Sequence, residues 1–256
     1  MNNVLSFPPA IGATQPGALT SCTNCRSSNA CLVRSLDPSM RMDVAKHVLT
    51  SVPIKRGEHL FRQGETMNGL YMLRAGSVKS YLDSADGCEQ VAAFHFPGDI
   101  LGFDALAERR HMSSAIALET VAFCTIPYDR VMSLAAVVPG FWSALMRGAA
   151  HRIVDAEQHA LMLGQKSAPA RLAAFLLNLS QRFSARGCSR NEFNLSMSRQ
   201  DIANYLAVAV ETISRLFTEL QRQGAIQVDR RFIRIRSREA LEEMAFEGQS
   251  LGVSHA

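Results

Sequence analysis

Between residues 139 and 166, apolar side chains recur at Trp142, Met146, Ala149, Ile153, Ala156, Ala160 and Leu163, with spacings of 4, 3, 4, 3, 4 and 3. A period of 3.5 residues held for three heptads fits a helix and no other regular structure. Such a stripe must be covered, either by the helix's own domain or by a second copy of the chain. The length of the repeat favours a paired, coiled-coil-like homodimer seam. Ala149, Ala156 and Ala160 are small enough to let two backbones approach closely, and no charged residue interrupts the stripe. Arg152, Asp155 and Glu157 flank it and are expected to keep the other faces wet.

The chain has a different texture on each side of this helix. From about 51 to 128, short apolar or alternating runs are punctuated by Gly57, Gly64, Gly69, Gly76, Gly87, Gly98 and Gly102. Runs such as LYMLRAGSVKSYL, EQVAAFHFPGDILGF and SAIALETVAFCTI read as strands between tight turns, which predicts an antiparallel barrel or jelly roll. Cys124 falls within the last of these strands. Upstream, residues 37–49 predict a short helix with Asp37 as N-cap and Pro38 at its first position. Residues 1–21 are rich in Pro, Gly, Ser and Thr without charge or period, and predict a poorly ordered arm.

After the heptad helix, PARLAAFLLNLSQRFSARG reads as an amphipathic helix with Pro169 near its start and Gly187 just past its end. NEFNLSMSR is a short strand-like run. Ser198 and Asp201 have capping-box spacing and open a short helix. The residues AVA separate it from VETISRLFTELQRQG, which Gly224 can end. Two short helices joined by a tight turn, the second carrying Glu211, Thr212, Ser214 and Arg215 early, give a helix-turn-helix signal. Arginine matches the O6 and N7 acceptors of guanine, and glutamate accepts from the cytosine amine. Glu211 and Arg215 are also four residues apart, so an ordinary surface ion pair is the competing reading. The alternating run AIQVDRRFIRIRS completes a winged outline, with Arg230, Arg231, Arg234 and Arg236 available to phosphate. Residues 171–238 hold twelve Arg against five acidic residues, a net of +7 in a chain whose total is +4. A basic terminal module on a neutral-to-acidic body is the electrostatic outline of a nucleic-acid binder.

Three cysteines, Cys22, Cys25 and Cys31, lie within ten residues as Cys-x2-Cys-x5-Cys. Thiolates this close suit a metal centre better than a fold-stapling bridge. Iron-sulfur clusters and structural zinc usually take four protein ligands, so a fourth must come from Cys88, Cys124, Cys188 or one of the seven histidines. Spacing leaves zinc, iron-sulfur and an unligated arm open, although a zinc ribbon normally carries a second Cys-x2-Cys pair. No secretory signal or membrane-spanning run is visible. The expected location is the cytoplasm, where thiols stay reduced and metal ligation is favoured over disulfides.

Taken in order, these parts resemble the FNR (fumarate and nitrate reduction) branch of the CRP/FNR family of bacterial transcription regulators. The resemblance covers roughly residues 20–240 and is carried by SCTNCRSSNAC, FHFPGDILGFDAL, ALETVAFCTIP, RLAAFLLNLSQRF and VETISRLF. It implies an α+β chain: an N-terminal antiparallel β-roll of the cyclic-nucleotide-binding jelly-roll type, a long dimerisation helix and a C-terminal winged helix-turn-helix. The corresponding divisions are an arm over 1–21, a cluster-binding arm and sensor roll over 22–138, the dimerisation helix over 139–166, and a DNA-binding domain over 167–256. The resemblance further implies an oxygen-labile [4Fe-4S] cluster on Cys22, Cys25 and Cys31, with the fourth ligand mapping by position to Cys124. Cys88 and Cys188 match no family ligand. On double-stranded DNA it implies base contacts from Glu211, Ser214 and Arg215, with Ser198, Arg199, Thr212, Arg230 and Arg231 at phosphate. The implied target is a two-fold TTGAT-N4-ATCAA type of site bound by a homodimer that recruits RNA polymerase through loops of the roll.

Some positions depart from the family pattern. Ala207 stands where a turn glycine is usual, and Ala209 where a Ser or Thr cap is usual; each substitution is expected to cost about 1 kcal/mol. Ala156 leaves the seam without charge, and Arg26 places a cation directly after Cys25. Cyclic nucleotide is not expected, because Ser113 and Ser114 occupy the place where a phosphate-binding Arg is needed. An enzyme is not expected either: there is no Gly-x-Ser-x-Gly, phosphate loop or His-Glu-x-x-His. The alternatives are a haem-based sensor of the same family and a zinc-bound DNA-binding protein.

Overall fold

The computed structural model describes residues 22, 25, 31–83 and 86–246. The arm expected over 1–21, and Arg26, lie outside these residues. Helix α1 spans Pro38–Ala45, with Asp37 at its N-cap and proline in its first turn, as the sequence predicts. It ends earlier than the expected residue 49, because Leu49–Thr50 form strand β1 and pair with the roll at Thr125 and Cys124.

The roll is built from β2 (His59–Phe61), β3 (Gly69–Ala75), β4 (Val78–Asp83), β5 (Glu89–His95), β6 (Ile100–Leu101), β7 (Ser114–Ala117) and β8 (Ala122–Pro127). They form two antiparallel four-stranded sheets, ordered β1-β8-β3-β6 and β2-β7-β4-β5. The roll interior holds Phe61, Tyr71, Leu73, Val78, Val121 and Phe123. Gly69 has no room for a side chain, since a Cβ there would lie 2.2 Å from the Ile126 carbonyl oxygen.

Alternation along β3 and β8 feeds a second core on the outer face of the same sheet. There Leu70, Met72 and Ile126 pack with Leu32, Val33, Leu36 and Val44 from the segment after Cys31. The same core takes Val131 and Leu134 of α2 (Tyr128–Val137), and Phe141, Ala144 and Leu145 of α3 (Phe141–Gln165).

Helix α3 runs over Phe141–Gln165, close to the predicted 139–166. Its heptad stripe is not covered evenly. Met146, Ala149 and Leu163 are half-buried and Ala156 and Ala160 exposed, while Trp142 and Ile153 are 51% and 59% exposed. Arg152 departs from the expectation of a wet face: it is half-buried against the roll.

The C-terminal module comprises α4 (Ala168–Ala185), β9 (Glu192–Asn194), α5 (Arg199–Tyr205), α6 (Val210–Arg222), β10 (Ile226–Asp229), β11 (Phe232–Ile235) and α7 (Arg238–Phe246). Its three-stranded sheet is ordered β10-β11-β9. Leu172, Leu176, Ile202, Leu206 and Ile213 form its dry centre, and Val91, Phe94 and Phe96 of the roll join the same core. Among the described residues no helix is long and apolar enough to cross a membrane. Leu176→Ala is expected to lower stability by about 2–5 kcal/mol through loss of buried methylenes and the cavity left behind, measurable by chemical unfolding of the full chain.

Candidate metal centre and nucleic-acid interface

Cys22, Cys25, Cys31 and Cys124 line one small cavity at the outer face of β1-β8-β3-β6. Cys124 reaches it because it shares a strand face with Ile126 and sits opposite Met72 in β3 and Thr50 in β1. The other lining residues are Val33, Val48, Met72 and Leu73 together with Arg34 and Arg74. Arg34 donates from Nη1 to the Cys25 carbonyl at 2.8 Å, tying the cysteine segment to the chain that follows.

The thiols lie within electrostatic reach of one another. Burial, then the neighbouring Cys31 and Cys25, raises the Cys22 thiol above its ordinary value, while Arg74 pulls it down. Burial pushes Cys124 up to about 11, again against Arg74, with Cys22, Cys25 and Cys31 adding to the rise. Four thiols gathered beside a cation form a donor set that a bound metal centre would deprotonate. The free volume is about 20 Å³, room for about one water. Among the described residues no three His, Cys, Asp or Glu side chains converge closely enough to hold a metal ion as they stand. Cys88 and Cys188 are exposed and do not line this cavity.

At the other end of the molecule, Ser198 caps α5 in a complete capping box. Its hydroxyl oxygen accepts from the Asp201 N–H at 3.1 Å, and Asp201 Oδ2 accepts from the Ser198 N–H at 2.8 Å. The Ser198 hydroxyl also donates to Asp201 at 2.6 Å and is therefore engaged within the cap. Arg199 turns inward, its guanidinium 3.2 Å from the Phe217 ring centre, and burial lowers its pKa to about 10. The turn between α5 and α6 places Ala207 at φ +51°, a left-handed conformation that normally falls to glycine. Ala209 is the α6 N-cap and supplies no side-chain bond.

On α6, Glu211, Ser214 and Arg215 are exposed on one face and Thr212 is half-buried; no ion pair joins Glu211 to Arg215. Ser214 donates back to the Val210 carbonyl at 3.0 Å. In the wing, Arg230 sits in the tip at φ +54°, and Arg231 is exposed while donating to the Ser196 carbonyl at 3.0 Å. Arg234 pairs with Glu192, and Arg236 donates to Gln227, so these two are held within the wing.

Sequence reasoning missed the polar contacts that join this module to the roll. Asp99 accepts from Arg182 of α4 and from Arg186 at the C-cap of that helix, each at 2.5 Å. Lys79 of β4 pairs at 2.8 Å with Asp201, the acid of the capping box. Asn204 bonds to the backbone of Glu89 and Val91. None of these pairings has a local sequence signal, since the partners lie more than 80 residues apart.

Residues 51–137 match the cyclic nucleotide-binding domain, and residues 170–244 match the Crp-like helix-turn-helix domain. Over 243 residues the chain is 39% identical to the fumarate and nitrate reduction regulatory protein of Vibrio cholerae, covering 94% of this chain and 97% of that one. It belongs to the CRP/FNR family of transcription regulators. The anaerobic regulatory protein of Aggregatibacter actinomycetemcomitans is also 39% identical, over 90% of this chain and 89% of its own length. The structure of FixK2 from Bradyrhizobium japonicum matches with a TM-score of 0.70 at 29% identity, over 75% of this chain and 95% of that one. As an FNR-type regulator the protein is not an enzyme, and its helix-turn-helix binds DNA.

The turn chemistry can be tested directly. Ala207→Gly is expected to stabilise the module by about 1 kcal/mol by relieving the left-handed strain. Ala209→Ser is expected to add about 0.5–2 kcal/mol by capping α6. Both are read as a rise in unfolding midpoint; a fall for Ala207→Gly would contradict the turn geometry.

Proposed function

We propose that the protein is an oxygen-responsive, cytoplasmic transcription regulator whose four cysteines, Cys22, Cys25, Cys31 and Cys124, hold an oxygen-labile [4Fe-4S] cluster. The observation that carries this reading is that three clustered thiols and one strand thiol from nearly 100 residues away line a single cavity. Apolar walls limit water, and Arg34 and Arg74 offer positive charge to a thiolate-rich centre. When bound, the cluster supplies cross-links between these thiolates that oxygen can break.

The chain's own packing carries the consequence. Residues 32–48 share a core with the outer face of the sheet and with the first turns of α3. Tethering the cysteine segment to Cys124 holds that core in one arrangement; release loosens the start of α3. The exposed stripe through Trp142, Ile153, Ala156 and Ala160 is the surface on which a second copy pairs, with Met146, Ala149 and Leu163 completing the seam. Pairing sets two recognition helices about one DNA turn apart, and loss of pairing reduces binding to a weak one-site contact. On each half-site of a TTGAT-N4-ATCAA-like sequence, Glu211, Ser214 and Arg215 read bases. Thr212, Arg230 and Arg231 meet phosphate; Ser198 and Arg199 lie beside the same backbone, their side chains committed to the cap and to Phe217. RNA polymerase is met through loops of the roll. The cavity inside the roll is about 60 Å³, well below the roughly 300 Å³ at which small-ligand pockets begin, and the reading includes no cyclic nucleotide.

The deciding experiment follows the visible spectrum of protein purified without oxygen through admission of air, with iron and sulfide counted on the same sample. A broad band that bleaches, with iron and sulfide near about four per chain, is expected; a colourless zinc protein or a sharp Soret band would replace the cluster by zinc or haem. Ser substitution at any of Cys22, Cys25, Cys31 or Cys124 is expected to abolish anaerobic activation of a reporter, while Cys88→Ser and Cys188→Ser leave it intact. Glu211→Ala should relax preference at one base pair per half-site by about 1–3 kcal/mol, measured on a panel of substituted sites. Equal weakening on every sequence would remove Glu211 from the base-reading set.

A further inference from the structure

Arg152 is the one α3 charge that the heptad pattern misplaced, and its surroundings are unusual. It lines a cavity of about 240 Å³ enclosed by α3, β5, α4 and Tyr205 of α5. Arg152, Asp155, His159, Met162 and Lys166 recur at helical spacing and give this cavity one wall, which the seam residue Ala156 also joins. Burial lowers the affinity of the Arg152 guanidinium for its proton, against the opposing influence of Asp99 and Asp155. Neither acid forms an ion pair with it: Asp99 is taken by Arg182 and Arg186, and among the described residues Asp155 pairs with no cation.

The other cations of the cavity are satisfied. Arg182 binds Asp99 and the Phe94 carbonyl, and Lys166 donates to the Ala245 carbonyl. His159 is stacked on Tyr205 at 3.9 Å with its Nε2 2.9 Å from the Tyr205 carbonyl oxygen, and burial holds its pKa below the ordinary value. The opposite wall is aromatic: Phe94, Phe175 and Tyr205 have ring centres 5.1–6.0 Å apart. A half-buried cation with no acid at ion-pair distance is costly, and an incoming anion lowers that cost. The volume is close to the lower limit for small-molecule sites, about 300 Å³, which suits one ring with one charged group.

We propose that this cavity binds a small aromatic anion, a carboxylate or phosphate borne on a flat ring, with Arg152 as its counter-charge and Phe94, Phe175 and Tyr205 against its ring. The site is separate from the cysteine cavity, so it does not rest on the cluster assignment, and Arg152 stands between it and the small cavity inside the roll, lining both. Its walls come from the roll, the α3 helix and the DNA-binding module together. Occupancy therefore couples to the placement of α5 and α6, and DNA and the ligand must alter each other's affinity by the same factor.

The test is calorimetric titration of the full chain, prepared without oxygen, with phenyl phosphate, benzoate and neutral benzyl alcohol. At least one anion is expected to bind with a stoichiometry of one per chain, with benzyl alcohol at least tenfold weaker. Arg152→Gln should raise the Kd of that anion tenfold or more without lowering the thermal midpoint, and Arg152→Lys should restore most of the affinity. DNA titrated with and without the saturating anion should show a shifted Kd in the parent chain and none in Arg152→Gln. Absence of binding by both anions, equal affinity for benzyl alcohol, or an unchanged Kd in Arg152→Gln would each overturn the proposal. The comparison of anion with alcohol uses the parent chain alone, so it stays decisive whatever the folding of the variants.

Discussion

The structure depends on one sheet, β1-β8-β3-β6, being apolar on both faces. Tyr71, Leu73 and Phe123 point into the roll, while Leu70, Met72 and Ile126 point outward to a second core. Because side chains alternate with a period of two, the pairing of Met72 with Cys124 decides on which side of the sheet the Cys124 thiol stands. A slip of one residue would bury it inside the roll, away from Cys22, Cys25 and Cys31. The same register brings the segment after Cys31 and the first turns of α3 onto one close-packed surface. Close-packed interiors do not deform smoothly, so a rearrangement of the cysteine segment is passed to α3 as a repacking rather than absorbed.

The opposite edge of the roll does comparable work for the DNA-binding module. Val91, Phe94 and Phe96 enter that module's core, and polar contacts ring the junction. Asp99, held by two arginines and by the Phe96 N–H at 2.9 Å, fixes the angle of α4. Asp201 serves twice, completing the cap of α5 and pairing with Lys79. Most of these groups are largely shielded from water, so removing one partner would leave the other charge poorly solvated. The orientation of the helix-turn-helix is thus set jointly by shared apolar burial and by charges that have few other partners.

What could be read from the sequence was what repeats or what is local. The 3.5-residue period placed α3 within two residues of its observed ends, glycine-punctuated alternation gave the roll, and Ser198 with Asp201 gave the start of α5. The left-handed turn at Ala207 and the missing cap at Ala209 were also visible, because each is a property of one position. Non-local choices were not. Nothing in the heptad pattern distinguishes Arg152, which meets the roll, from Glu157, which stays in solvent. The end of α1 at Ala45 was decided by the pairing of Leu49 and Thr50 with β8, about 75 residues later. The placement of Arg34 and Arg74 beside the thiols likewise follows from packing, and neither residue belongs to a local motif.

The two alanines at the helix-turn-helix show why a local penalty need not decide a fold. Ala207 in a left-handed turn and Ala209 as a poor cap each cost about 1 kcal/mol. Across that turn Ile202, Leu206 and Ile213 are fully buried and Phe217 nearly so, and each such side chain contributes about 1.5–3 kcal/mol. Burial therefore outweighs the turn strain several times over, and the geometry is kept.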